Sequence, residues 1–306
     1  MPKKIGGPRF FLSLFIFAVV VGFSVYYSET LIKTLLDVNP GWVLAGILCH
    51  GINYILRAFR LLLLLHRRIK FWPEAVYASS FHGLMAYLTP MQLGDMSLPI
   101  LLKTTHHISL SEGGAILLKS RLLDMISLGG LIVVSAFFFD FSLNIAVQLI
   151  WIVIGIVLIV VPILIRHLIS RKIFHSERMI RFIRPFAKDG GFKIIELMVS
   201  LLIWVSISSV LFCVIRAVNL PLGFGAAFIL ITIQLPLQLI PVQGLANTGN
   251  HEGAWIAALS LLGIPLKQAA EFAVTSHVII LFYVLVVGIV TVVTIPAKGI
   301  QIISSE

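Results

Sequence analysis

The sequence predicts an all-α polytopic membrane protein: about six full transmembrane helices plus two broken or re-entrant helical hairpins, arranged as an inverted repeat. Three observations carry this expectation. Of 306 residues, 59% are hydrophobic and only 12% charged, where soluble domains carry about 25% charged residues. Apolar runs of membrane-spanning length recur along the chain. Two further apolar regions are interrupted by proline and glycine. A water-soluble body of this size cannot bury so much apolar surface, so residues 1–306 read as a single integral membrane domain.

The first run, FFLSLFIFAVVVGFSVYY at 10–27, follows the basic start MPKKIGGPRF. A secretory signal has a shorter core and a small-residue cleavage site, so this run reads as a retained span. The second extends over 42–65 and is interrupted by His50, Asn53, Arg57 and Arg60. The third, 112–139, holds Lys119, Arg121 and Asp124 in its first half. Three more follow at 143–165, 194–218 and 268–295. Each is long enough for a hydrocarbon core about 30 Å thick, which needs roughly 20 helical residues.

The broken regions are 75–102, with Pro90, Gly94 and Pro99, and 224–264, with Pro236, Pro241, Gly244 and Gly249. Proline removes a backbone donor and glycine weakens helix. Each region therefore reads as two short helices around a non-helical apex, built on Pro90 and Gly94 in the first and on Pro241, Gly244 and Gly249 in the second. Irregular backbone at membrane depth must lie inside protein or along a cavity. The alternative is a pair of ordinary kinked spans with surface loops.

Charge placement sets the topology. Lys3, Lys4 and Arg9 precede the first span, and Arg67, Arg68 and Lys70 follow the second. Eight Lys/Arg lie in the basic loop 166–193 against Glu177 and Asp189, and Lys298 follows the last span. The opposite loops carry Lys33 with Glu29 and Asp37, then Asp140, then Lys267. Six spans with two re-entrant hairpins put every basic cluster on one side, as the positive-inside rule requires. Both termini are then expected in the cytoplasm, with the chain in the cell inner membrane. Eight full crossings give the same sidedness. The formal charge of +10 thus orients the chain rather than marking a nucleic-acid partner.

The two broken regions share a context. Each follows a helix that ends in arginine, carries proline then glycine then an acid (Asp95 or Glu252), and precedes a long span with a basic or ionisable residue, Arg121 or His277. This predicts repeat units at 10–139 and 143–295. With three full spans each, the second unit is inverted, a transporter architecture.

Intramembrane charge is costly and marks function by default. Arg57 and Arg60 share a helical face and either snorkel to the interface or hold an anionic headgroup. Arg121 and Asp124 also share a face, so the two either neutralise each other or leave an arginine for phosphate; Lys119 lies beside them. Asp95 and Glu252 each open a short helix, where a carboxylate caps exposed N–H groups; alternatively they pair with Arg121, His277 or a cationic headgroup, or carry a proton. Gln92 at the first apex and Asn247, Asn250 and His251 at the second can solvate a headgroup. The histidines, Cys49 and Cys213 show no metal-ligand spacing, and no nucleophile elbow, phosphate loop or nicotinamide fingerprint occurs. No metal, cofactor or catalytic residue is therefore expected.

The segments NYILRAFRLLLLL, YLTPMQLGDMSLPILL and GLANTGNHEGAWIAALSLLGIPLKQA resemble the membrane region of the lysylphosphatidylglycerol synthase and flippase-like family. The first motif matches at Pro90, Gly94 and Asp95, with aspartate where glutamate is usual. The second matches at Gly249, Glu252, Gly253, Gly263, Ile264 and Pro265. Ser276 and His277 stand where the family often has tyrosine and arginine. The resemblance covers about 10–295 and implies a module that moves lipids or lipid-linked glycans between leaflets. No aminoacyl-transferase sequence follows the last span within these residues, so lysyl transfer is not expected. The leading functional expectation is a flippase for an anionic phospholipid or polyprenyl-phosphate-linked lipid, with an envelope-lipid biosynthetic enzyme as a partner. The alternatives are an ion-coupled small-solute transporter and an accessory subunit of an envelope-lipid synthase.

Overall fold

The computed structural model describes Gly22 and residues 28–65, 72–138, 145–170, 191–237 and 244–295. Among the described residues every regular element is helical: α1 (Ser28–Leu36), α2 (Pro40–Leu64), α3 (Trp72–Leu88), α4 (Ser97–His106), α5 (Leu110–Ser135), α6 (Ile145–Ser170), α7 (Ile194–Ala217), α8 (Phe224–Leu237), α9 (Asn250–Leu261) and α10 (Leu266–Thr294). Three 3-10 segments, Pro90–Met96, Ala136–Phe138 and Leu245–Asn247, complete the set. The chain is an all-α polytopic membrane protein. Helices α2, α5, α6, α7 and α10 are each long and apolar enough to cross a bilayer. The expected span 10–27 falls outside the described residues except for Gly22, as do Pro241 and most of the basic loop 166–193.

Local sequence explains where these helices start. Pro40 pre-sets the first turn of α2, and the Asn39 carboxamide oxygen accepts from Gly41 N at 3.0 Å. Ser109 caps α5 by accepting from Glu112 N at 3.2 Å. Glu196 and Glu252, each the third residue of its helix, reach back to the preceding backbone N–H of Lys193 (3.0 Å) and Gly249 (2.7 Å). The stretch around Lys33, read from sequence as loop, is the helix α1.

Both proline-rich regions are broken where expected, with one correction, at Pro99. Pro99 sits in the first turn of α4, and Pro236 is the penultimate residue of α8. A helix's first turn leaves its N–H groups unpaired in any case, so Pro99 does not interrupt it. The four hairpin helices have 17, 10, 14 and 12 residues. At 1.5 Å per residue the longest reaches only about 25 Å, short of the hydrocarbon core.

Helix α2 packs along α7, α5 along α6, and α10 against α9 and α3. The two 3-10 apices touch one another, so the breaks meet in the interior. One buried cluster joins α2, α3, α4 and α5 through Leu61, Ala78, Leu102 and Leu123; a larger one joins α5 and α7 to α10 through Leu128, Val214, Leu230, Trp255 and Tyr283. The α6 surface carries exposed Leu149, Ile150, Val153, Val157 and Ile163, the composition of a lipid-facing helix. Gly129 and Gly155 let α5 and α6 approach closely, since a Cβ on Gly129 would lie 2.6 Å from the Gly155 carbonyl oxygen.

Gly94 fixes the first apex against α3, because a Cβ there would strike the backbone of Met85 and Ala86. Gly94→Ala is therefore expected to lower stability in detergent by about 1–3 kcal/mol, the usual range for overpacking. Gly130→Ala, which would meet nothing within 4 Å, is expected to leave it unchanged or raise it. Thermal unfolding of the purified variants checks this contrast, and equal losses would contradict it.

Candidate functional site

Helices α2, α5 and α7 place their charges inward, and a charge deep in apolar surroundings needs a partner. Arg60 on α2 donates to Asp124 on α5 from Nη1 at 2.5 Å and from Nη2 at 3.3 Å. The Arg60 Nη1 also donates to Ser200 Oγ at 3.1 Å, and Trp204 Nε1 donates to Asp124 Oδ1 at 3.1 Å. One carboxylate thus ties three helices together. Lower in α5, Lys119 Nζ lies 2.9 Å from Glu196 Oε1, with both side chains buried. Glu196 uses its other oxygen for the α7 cap.

Each apex carries its own acid–base contact. Asp95 accepts from Arg121 Nη2 at 2.5 and 2.6 Å, across 26 residues. His277 Nδ1 contacts Glu252 Oε1 across 25 residues. The two acids differ in local setting: Glu252 lies in the first turn of α9, whereas Asp95 belongs to the 3-10 segment and precedes α4 rather than opening it. His82 Nδ1 lies 3.1 Å from Ser97 Oγ, and its Nε2 lies 4.0 Å from Asp95.

His82, Asp95 and Arg121 border a cavity of about 260 Å³. Its wall includes Arg57, Tyr87, Asp95, Arg121, Asn247 and His251. A smaller space of about 40 Å³ adjoins it, and Arg57, His82 and Arg121 line both, with Arg60 and Asp124 on the smaller one. Arg57 donates from Nε to Asn53 Oδ1 at 2.8 Å and has no carboxylate partner among the described residues. Asn53 is held by Ser206 Oγ (2.8 Å) and the Ile203 carbonyl (3.2 Å) of α7. Arg121 uses a single guanidinium nitrogen for Asp95, and its side chain is 42% exposed against 6% for Arg60. Three arginines against two aspartates leave these joined spaces one positive charge in excess, with histidines neutral. That arrangement can hold an anion.

Several sequence expectations resolve differently in space. Arg121 and Asp124 do not pair: Asp124 is taken by Arg60 and Arg121 by Asp95. Arg57 and Arg60 differ in partners: Arg60 is paired with Asp124, and only Arg57 keeps its terminal nitrogens clear of a carboxylate among the described residues. Lys119 is consumed by Glu196 and lines neither space. Gln92 lies on the first 3-10 segment, and Asn250 is the first residue of α9. Glu252 and His277 are not on the cavity lining, but the His277 ring packs against Tyr87 and His251, which are. Glu196, Trp204 and Tyr87 were not singled out from sequence. A lone acid at the head of an apolar span was the available signal for Glu196. Tyr87 Oη and His50 Nε2 are buried with no hydrogen-bond partner among the described residues. Among those residues no three His, Cys, Asp or Glu side chains are grouped to hold a metal ion.

Losing one partner of a buried ion pair strands the other charge, at a cost of roughly 3–5 kcal/mol, whereas replacing both with apolar groups is often near neutral. Glu196→Gln alone is expected to destabilise the protein strongly, and Lys119→Met with Glu196→Leu to recover most of that loss. Unfolding in detergent measures both. A double variant as unstable as the single one would contradict the pairing.

A model of the family described as "Lysylphosphatidylglycerol synthase TM region" matches residues 10–288. No curated protein is similar enough to the chain to count as a match.

Proposed function

The chain belongs to the lysylphosphatidylglycerol synthase transmembrane-region family, a membrane domain linked to lipid and flippase-like function, and from that premise we propose that it moves an anionic amphiphile between membrane leaflets. The observation that carries this reading is Arg57: a guanidinium at the junction of two interior spaces, with no carboxylate partner among the described residues. Phosphate accepts charge-assisted hydrogen bonds from such a fork. The partly exposed Arg121 offers a second contact.

Size favours a headgroup over a whole lipid. Ligand pockets for drug-sized molecules span roughly 300–1,000 Å³, and the cavity here is about 260 Å³. The acyl or polyprenyl chains stay in the bilayer while the phosphorylated head crosses past the apices. The repeated order of long helix, short helix, 3-10 apex, short helix and long helix supports an inverted repeat whose two halves alternate around that cavity. In each half an acid–base contact links the broken region to the following long helix. Lys/Arg placement supports an inner-membrane protein with cytoplasmic termini, and an envelope-lipid enzyme is the partner that would supply or use the cargo.

Leaflet exchange in reconstituted vesicles tests the proposal. Fluorescent phosphatidylglycerol is expected to exchange faster than matched phosphatidylcholine. Arg57→Ala is expected to slow it roughly 10–100-fold, the equivalent of about 1.5–3 kcal/mol for a hydrogen bond to a charged group. Arg57→Lys should fall between, keeping charge but losing the planar fork. Equal rates for the two lipids, or a fully active Arg57→Ala, would overturn the reading.

A further inference from the structure

His277 is held between two oxygens. Its Nε2 lies 2.7 Å from the Ala246 carbonyl oxygen, and its Nδ1 faces Glu252 Oε1. A carbonyl only accepts, so Nε2 carries hydrogen. A neutral imidazole then has a lone pair at Nδ1, which would face a carboxylate lone pair. The contact holds only if one more proton sits in it, on His277 or on Glu252. Glu252 cannot simply turn away, because its Oε2 accepts the Gly249 N–H at 2.7 Å.

We propose that the Glu252–His277 contact is a proton-binding site linked to occupancy of the anion cavity, which rests on the function proposed above and deepens it. With the shared proton the pair is neutral overall, whether as imidazolium and carboxylate or as imidazole and carboxylic acid. Without it the pair carries one negative charge next to the wall that an anionic headgroup must approach. Proton loss therefore disfavours the anion, and by reciprocity the anion strengthens proton binding. The proton comes from solvent and returns to it.

The linkage also has a mechanical arm. Ala246 and Asn247 adopt left-handed backbone conformations, with φ of 53° and 64°. Non-glycine residues keep such conformations only where their surroundings hold them. The His277 bond to the Ala246 carbonyl is one such restraint, and Asn247 lines the cavity. Repulsion between a deprotonated pair would release that bond and let the turn relax.

Other ionisable groups are placed differently. His251 on α9 has its ring 4.8 Å from that of His277. Its Nε2 lies 3.0 Å from Ser276 Oγ, whose hydroxyl donates to the Ala273 carbonyl at 2.9 Å. Ser276 must therefore accept, which fixes hydrogen on His251 Nε2. Tyr87 of α3 approaches His277 edge-on at 6.2 Å. His50 of α2, His82 of α3, Arg57, Asp95 and Arg121 line the cavity itself.

The test uses the full chain in phosphatidylcholine nanodiscs, with dioctanoyl phosphatidylglycerol and dioctanoyl phosphatidylcholine as probes. Phosphatidylglycerol binding is expected to weaken as pH rises, by a factor within the roughly 5–150-fold range of typical site coupling. Binding is expected to draw protons from a weak buffer. Glu252→Gln should still bind phosphatidylglycerol, with a flatter pH profile and little proton uptake. Should that variant not fold, ¹⁵N-histidine spectra of the wild type serve instead, and one histidine should change protonation with the affinity. A phosphatidylglycerol preference that is independent of pH, or Glu252→Gln with the wild-type profile, overturns the proton site alone. No preference for phosphatidylglycerol at any pH overturns the transport reading and the linkage together.

Discussion

Asp124 accepts from Arg60 at 2.5 Å and from Trp204 at 3.1 Å, so one carboxylate on α5 holds both α2 and α7. The rest of the interior follows from the requirement behind that contact. In surroundings of low dielectric constant an ion without a partner is far more costly than in water. Lys119 meets Glu196 for the same reason, and each apex acid meets a base. These contacts cross between helices rather than along them, so they set which helix faces which. Arg57 then stands out because the same accounting leaves it over.

That residual charge is the basis of the proposed site. Apolar packing alone would let the α2–α7 and α5–α6 pairs assemble, but it would not specify what the interior binds. The glycine at the first apex brings the 3-10 segment onto α3, which sets Asp95 within reach of Arg121. The second apex holds its turn through His277 and Ala246. Where the two breaks meet, backbone groups that cannot face lipid surround a polar space. Arg57 lines that shared space, and His277 packs against Tyr87 and His251 of its wall.

The helical order was legible because its signal is local. Apolar runs located the described long helices to within a few residues, and proline with glycine marked both breaks. The apex contacts were partly legible too: similar spacings from Asp95 to Arg121 and from Glu252 to His277 suggested partners. The contacts between distant helices were not. Arg60 and Asp124 are 64 residues apart, and Lys119 and Glu196 are 77 apart; nothing in one chain's local pattern fixes such choices. The three-residue spacing of Arg121 and Asp124 left a mutual pair open as one alternative, and it does not form because each finds a partner on another element. Pro99 misled for a different reason, as the first turn of a helix tolerates a proline that its interior does not.

The claim that Arg57 is the unneutralised anchor for an anionic headgroup meets its most direct test in an experimental structure determined in phosphatidylglycerol nanodiscs. Phosphate density within hydrogen-bonding distance of the Arg57 guanidinium, with Arg60 still on Asp124, is the predicted result. A protein carboxylate on Arg57, or headgroup density confined to the outer surface, would contradict it.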